Sequence, residues 1–401
     1  MLRTYCLTES QATEIDVSDD VGRRLAQLGR RLAATTRSGD DDDATVIRCR
    51  PSLNGAWSVT VREAIGIVQV GDVRLLCEPK IPMPHLLHLF RRQMGVFKAD
   101  SSIARTSTAD ELWSLVAGWF VKSLEELIRS GLAMDYAPVT GDLSVVRGRL
   151  DPRVSAGNLL RGSTAMTCHF EEYSANAPLN RVLKASALAV ARSGLLDREV
   201  RRRAFRAASH MDGVQDLEPL DLHAAQVERH TGRYQQPIEL ARIVLDGTGV
   251  GLGASASLIG HSFLLRTPEL VESAIRSLVA ETLADLVAVR KGRLVLNGAA
   301  ESLNPDLVFG TQAVGDVKYK LWKGSWHRPD LYQIVTFATG YQVNHALKVG
   351  FAEHPEPVEP LEVGAVRLRL CDWQADPTVA PQDAEDDFVD RIRKWWSEVA
   401  C

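Results

Sequence analysis

Asp306, Asp316 and Lys318 are the side chains of this 401-residue chain whose types and spacing best suit chemistry. Asp306 closes the tripeptide Asn304-Pro305-Asp306, and Asp316-Val317-Lys318 follows ten positions on. Paired carboxylates suit Mg2+, a hard cation that takes oxygen ligands and keeps several waters. Such a metal lowers the pKa of a bound water and neutralises charge on a phosphoryl group. A lysine beside it orients the water or stabilises developing negative charge. The residue types therefore point to metal-assisted phosphodiester hydrolysis. The triplet alone is weak, because a [DE]-x-K arises about once by chance in a chain of this length. Glu78-Pro79-Lys80 is a second copy, with Asp72 upstream of it.

The elements around each copy separate them. From Ala313 to Leu321 the chain alternates with the period of a strand. Ala313, Gly315, Val317, Tyr319 and Leu321 form an apolar face, and Asp316, Lys318 and Lys320 share the other with Val314. Pro305 to Gly310 reads as a short strand that opens on Asp306 and ends in a glycine turn, which brings Asp306 next to Asp316. On these strands alone a surface ion pair on a charged hairpin explains the pattern equally well. The earlier copy is unsuited to a central strand, because Pro79 has no N–H and Pro82 and Pro84 follow. It is expected to end an edge strand spanning Gly71 to Cys77.

A helix is expected from Thr267, a capping residue, with Pro268 and Glu269 in its first turn and apolar spacing to about Arg290. Glu272 lies beside its apolar stripe, as a solvated carboxylate or a further acid near the metal. A short strand is expected within Lys291 to Leu296. A second helix is expected from Pro329-Asp330 to a terminating glycine, Gly340. Two strands, Leu347 to Phe351 and Val363 to Leu370, follow. An acidic loop, Asp372 to Asp387, should then lead to a helix from Phe388 to Val399. Gln333 holds the nucleophile or a phosphate, or simply faces solvent. Between motif strand and helix, Lys320, Lys323, Trp326 and Arg328 suit phosphate contact and base stacking, or form a surface loop with tryptophan packed inward.

The succession of helix, strand, Asp-bearing strand, Asp-x-Lys strand, helix and strand resembles the PD-(D/E)xK nuclease core. The chain as a whole resembles the McrC family, the nuclease subunit of modified-cytosine-dependent McrBC restriction systems. The blocks that carry the likeness run in order: Arg62-Glu63-Ala64-Ile65-Gly66 with Glu78-Pro79-Lys80, then Arg147-Gly148-Arg149, then Asn180-Arg181-Val182-Leu183-Lys184. Leu270-Val271-Glu272, the two motif strands and Asp330-Leu331-Tyr332-Gln333 complete it. Arg266-Thr267-Pro268 and the glycine-rich Gly247 to Gly260 depart from the family pattern.

The resemblance implies Asp306, Asp316, the Val317 carbonyl and Glu272 around Mg2+, with Lys318 and Gln333 as catalytic partners. It implies modified double-stranded DNA as substrate and an McrB-like AAA+ GTPase as partner. The N-terminal domain would stimulate that partner, and GTP would act only through it. The chain itself carries no G-x-x-x-x-G-K-[ST] phosphate loop. A stand-alone repair or defence nuclease, and a non-catalytic GTPase adaptor, are the rival readings.

The expected architecture is α/β and α+β multidomain. It comprises a β-rich domain over 1–102, a helical connector over 103–255 and a nuclease domain with a mixed sheet flanked by helices over 256–401. A composition of 45% hydrophobic and 24% charged residues supports a sizeable core. No apolar run approaches a membrane span and no signal-peptide h-region opens the chain, so a bacterial cytoplasmic protein is expected. Six unpaired cysteines fit that reducing compartment. His85 and His88 read as helix-face residues rather than ligands. The net charge of −4 is low for a DNA binder. Basic clusters at Arg290 to Arg293 and Lys318 to Arg328, and tethering to a DNA-reading partner, reduce that objection.

Overall fold

A computed structural model describes residues 2–33, 45–52, 54–93, 109–218, 220–227, 229–248, 262–296, 298, 301–321, 326–355 and 358–400. Lys323, the acidic run Asp40 to Asp43, most of the glycine-rich stretch and Cys401 lie outside the described residues. The fold is mixed α/β with several sheets. Its residues cluster into two compact units, Met1–Leu115 with His261–Cys401, and Val116–Gly260. The segments assigned above to the first and last of three domains thus share one unit.

The chain opens with β1 (Arg3–Thr8), β2 (Thr13–Ile15), α1 (Asp19–Ala33), β3 (Ile47–Pro51), β4 (Trp57–Val61), β5 (Ala64–Val70), β6 (Val73–Glu78), α2 (Met83–Gln93) and α3 (Ala109–Arg129). Strands β2, β4 and β3 form one antiparallel sheet. Helix α1 approaches it closely because Gly22 and Gly29 leave no Cβ against Trp57 and the Ile47 carbonyl. Val59, Val61 and Leu25 share one core cluster with Val68 of β5. Strand β6 is interior to its sheet, parallel to β1 and antiparallel to β5, which corrects the expected edge strand. The N–H that Pro79 lacks is not needed, because β6 stops at Glu78.

The middle unit carries β7 (Asp135–Leu143), β8 (Arg149–Leu150), α4 (Pro152–Leu160), β9 (Met166–Ser174), α5 (Pro178–Arg192), α6 (Arg198–Ser209), α7 (Asp221–Ala224) and α8 (Gln235–Thr248). It is less purely helical than expected, since β7 and β8 flank β9 in an antiparallel sheet. The Arg-Gly-Arg block is structural. Gly148 has φ +68, and a Cβ there would lie 2.4 Å from the His169 carbonyl oxygen. Arg147 covers the Phe170 ring at 4.5 Å. Asn180 is buried and donates to the carbonyls of Ala133 and Ala175 at 2.9 and 2.8 Å. Arg181 pairs through two nitrogens with Asp221, at 2.8 and 2.6 Å.

The final segment contributes β10 (Phe263–Arg266), α9 (Pro268–Thr282), β11 (Val289–Arg290), β12 (Leu294–Val295), β13 (Ser302–Leu303), β14 (Leu307–Phe309), β15 (Ala313–Leu321), α10 (Arg328–Tyr341), β16 (His345–Ala352), β17 (Leu361–Val363), β18 (Val366–Gln374) and α11 (Pro381–Val399). Strand β10 joins the N-terminal sheet against β5. The six-stranded sheet runs β11-β14-β15-β16-β18-β17, with β15, β16 and β18 parallel. Val308, Val314, Ala346 and Leu368 pack against Ile334, Phe337 and Ala338 of α10. On the opposite face Phe309 meets Trp395 and Trp396 of α11, and Trp373 meets Phe388.

Three boundaries differ from the expected ones. Helix α9 stops at Thr282 rather than near Arg290, because the chain must turn to lay Val289 and Arg290 against β14. Helix α10 runs past Gly340 to Tyr341 and is capped by Gln342, which takes the left-handed conformation at φ 57. Gly340 serves packing, since a Cβ there would lie 2.4 Å from Leu303. The expected acidic loop is largely ordered, as β18 continues to Gln374 and α11 begins at Pro381.

Candidate active site

The hairpin of β14 and β15 brings the two aspartates together. Leu307 pairs with Gly315, so Asp306, one residue before β14, sits beside Asp316 and Val317. The Val317 N–H donates to Asp306 Oδ2 at 2.9 Å. Arg276, on α9, donates to the Asp306 carbonyl at 3.3 Å. Asp306 is thus held from both sides. Both aspartates are buried, at 7% and 3% exposure, whereas a surface ion pair would be wet. Lys318 Nζ lies 2.8 Å from Asp316 Oδ2.

Electrostatics mark the cluster as short of positive charge. Burial pushes the Asp316 carboxyl up to about 6; Lys318 pulls it back and the Asp306 carboxylate pushes it further up. Glu272, one turn inside α9, is pushed up to about 7 by burial and then by Asp306, against Lys291 and Lys318. Burial disfavours the charged form of Lys318, but Asp316, Asp306 and Asp330 outweigh it and raise its pKa. Neighbouring carboxylates that raise one another are the arrangement a divalent cation relieves.

The donor set fits Mg2+. Among the described residues no group of three or more His, Cys, Asp or Glu side chains is placed to hold a metal ion. Mg2+ does not require one, because it is ordinarily held by one or two carboxylates plus waters and substrate phosphate. Asp306 and Asp316 offer two carboxylates, and Glu272 feels both of them.

Beside this group stands a second charged node that sequence reasoning missed. Asp330, buried in the first turn of α10, takes Lys320 Nζ at 3.2 Å, Lys348 Nζ at 3.1 Å and His327 Nδ1 at 3.3 Å. Burial alone would raise its carboxyl, but Lys348 and Lys320 hold it down at about 2. Lys348 is itself 5% exposed, pairs in register with Asp316, and lies 5.5 Å from the Trp326 ring centroid. Its signal in the sequence was a lone lysine inside the otherwise apolar strand β16. Asp372, two strands away, was also missed. Burial pushes its carboxyl up to about 6 despite Lys348 and Arg391.

The other expected contacts divide. Lys320 is half exposed but tied to Asp330, and Trp326 is half-buried against Lys348. Arg328 is exposed at the start of α10. Gln333 is exposed, and among the described residues no hydrogen bond joins it to the carboxylates. His85 and His88 are structural. Trp373 Nε1 donates to His85 Nδ1 at 3.1 Å, so His85 Nε2 donates to the Asp376 carbonyl at 2.9 Å. His88 meets Glu385 at 2.6 Å.

Glu78-Pro79-Lys80 builds no second acid site. Lys80 instead reaches the back of the motif strand, donating to the Tyr319 carbonyl at 3.4 Å and lying 3.7 Å from buried Glu9.

The family model described as McrBC 5-methylcytosine restriction system component matches residues 59–348. The chain belongs to this family. Among solved structures, one chain of a half-complex from a tetradecameric assembly of Thermococcus gammatolerans McrB AAA+ hexamers with bound McrC is similar at 17% identity and a TM-score of 0.58. The match covers 98% of this chain and 100% of that one. A second, from the cryo-EM structure of the Thermococcus gammatolerans McrBC complex, matches at 17% identity and a TM-score of 0.44, over 70% of this chain and 88% of that one. No curated protein sequence matches significantly. For this member of the McrBC family, the first likeness establishes the fold. Among the described residues no helix is long and apolar enough to cross a membrane.

Proposed function

We propose that this chain is the Mg2+-dependent DNA endonuclease subunit of a GTP-driven, modification-dependent restriction system. The observation that carries the reading is the buried Asp306–Asp316 pair with Lys318 Nζ 2.8 Å from Asp316. Family membership supplies the biological setting. Asp306 and Asp316 would hold Mg2+, with the Val317 carbonyl and Glu272 completing its protein shell. The ion would supply an activated water and charge neutralisation at the scissile phosphate.

The protein's own groups do the rest. The Val317 N–H fixes the Asp306 carboxylate, so the two acids are ordered before substrate arrives. Lys318, charged and half-buried on the same strand face, orients a water or stabilises charge on the phosphate oxygens. Glu272, raised to about 7 in the metal-free protein, would give up its proton as the cation binds. Lys320, Trp326 and Arg328, with Lys323 from the same stretch of sequence, are the groups that would contact the DNA backbone and bases. Gln333 lies early in α10 and would reach a phosphate only when substrate brings one there.

The partner is an McrB-like AAA+ GTPase, by analogy with the McrC bound to McrB AAA+ hexamers in the similar structure. That partner would read the modified double-stranded DNA and consume GTP, while this chain stimulates it and cuts, in a bacterial cytoplasm. The test mixes this chain, the candidate GTPase, GTP, Mg2+ and methylated plasmid, and repeats the assay with Asp316→Ala. Cleavage that needs both proteins and vanishes in the variant supports the proposal. Cleavage by this chain alone makes it a stand-alone nuclease. GTPase stimulation without cleavage makes it an adaptor.

A further inference from the structure

Glu9 is buried at 1% exposure immediately after β1, far from the acids in sequence. Its backbone N–H is held by the Glu78 carbonyl at 2.9 Å, which fixes where its side chain starts. Burial raises its carboxyl, and Lys80 is the largest opposing influence. Three contacts lead from this carboxylate. Thr267 Oγ1 donates to Glu9 Oε1. Lys80 Nζ stands 3.7 Å from the same oxygen and donates in turn to the Tyr319 carbonyl at 3.4 Å. Tyr319 lies against Glu9 as well, although its hydroxyl has no aligned hydrogen bond.

Each contact lands on an element that carries the acid site. Thr267 is the residue before α9, the helix of Glu272 and Arg276. Its hydroxyl makes no capping hydrogen bond to that helix, and it donates to Glu9. Tyr319 follows Lys318 on β15 and points to the opposite face. Lys80 also lies 4.8 Å from the Tyr319 ring centroid, so it grips that residue at carbonyl and ring.

We infer that Glu9 is a positioning residue for the acid site, acting with Lys80 and Thr267 to set the spacing between α9 and β15. The inference rests on the proposed metal-dependent nuclease. A buried ion pair is weak evidence for stability by itself, since an apolar replacement is often neutral or better. A buried network that ties the start of α9 and the back of β15 to one carboxylate is better explained by geometry. Groups that orient metal ligands shift affinity without touching the ion.

The test is calorimetric titration of the full-length chain with Mn2+, without DNA, alongside its melting temperature. The variants are Glu9→Ala/Lys80→Met, which removes both buried charges together, Thr267→Val, which keeps shape and loses the hydroxyl, and Thr267→Ser, which restores it. The double variant should melt close to wild type yet bind Mn2+ about tenfold more weakly. Thr267→Val should weaken binding a few-fold and Thr267→Ser should recover it. Wild-type affinity in a folded double variant overturns the positioning role and leaves the nuclease reading intact. If the double variant fails to fold, Thr267→Val and Thr267→Ser decide, and equal affinity in the two overturns it. No Mn2+ binding by the wild type overturns the metal site itself, and the inference falls with it.

Discussion

Asp316-Val317-Lys318 and Glu78-Pro79-Lys80 share a pattern and have opposite fates. In the first, a strand that runs on past the triplet places both charged side chains on one face, where a second aspartate arrives from the residue before the neighbouring strand β14. In the second, the strand ends at Glu78 and the proline-bearing turn sends Lys80 toward Glu9 and the back of β15. The difference teaches that charge spacing acquires chemical meaning only from the backbone that carries it. The two triplets also lie back to back in function: one gathers acids, the other braces the strand on which they sit.

The largest effect that would break this contrast is loss of Asp316. Asp316→Ala should cut DNA cleavage by the reconstituted system about 10³-fold or more, while Glu78→Ala leaves it near wild type; equal losses would erase the distinction. Lys318→Ala comes next, with about a 10²-fold fall in single-turnover rate and Mn2+ binding retained. A fall in metal binding of the same size would make Lys318 structural.

Gly350→Ala tests the sheet that carries the acids. A Cβ at Gly350 would lie 2.4 Å from Asp372 Oδ1. Both partners are buried, so the variant should lose about 1–3 kcal/mol by chemical denaturation. An unchanged midpoint would show that Asp372 moves freely.

The smallest effect concerns pH. Asp316 and Glu272 have folded values of about 6 and about 7, above their ordinary 3.8 and 4.5. The native state therefore keeps protons that the unfolded chain has released. The stability they contribute is full below about pH 4 and is lost as pH rises through about 7. A divalent cation competes with those protons. Its addition should raise the melting temperature by a few degrees more at pH 8 than at pH 5.5, and a larger rise at the lower pH would contradict the assignment.

Much of the site was legible because strand alternation is a local property. Ala313 to Leu321 showed its two faces in sequence, and the hairpin followed from Gly310. Lys348, Asp330 and Asp372 were hidden because their meaning depends on the register between parallel strands, which no local pattern encodes. The N-terminal support was hidden as well, since Thr267 reads locally as a helix cap and only tertiary structure brings Glu9 to its hydroxyl. Helix α9 was overextended because Leu283 and Leu286 keep helical spacing, whereas Leu286 is exposed in the turn that β11 requires.

The pairing of β10 with β5 sets a schedule for synthesis. Phe263 is the partner of Ile67. At ordinary ribosomal speeds of about 5–20 residues per second, roughly ten to forty seconds separate the emergence of the two. Through that interval β5 carries an open edge, and Glu9 and Lys80 await both Thr267 and Tyr319. The chain is thus made with this sheet unfinished, and a segment synthesised much later completes it. A fragment beginning at residue 256 would be born without the bracket that its own acids lean on.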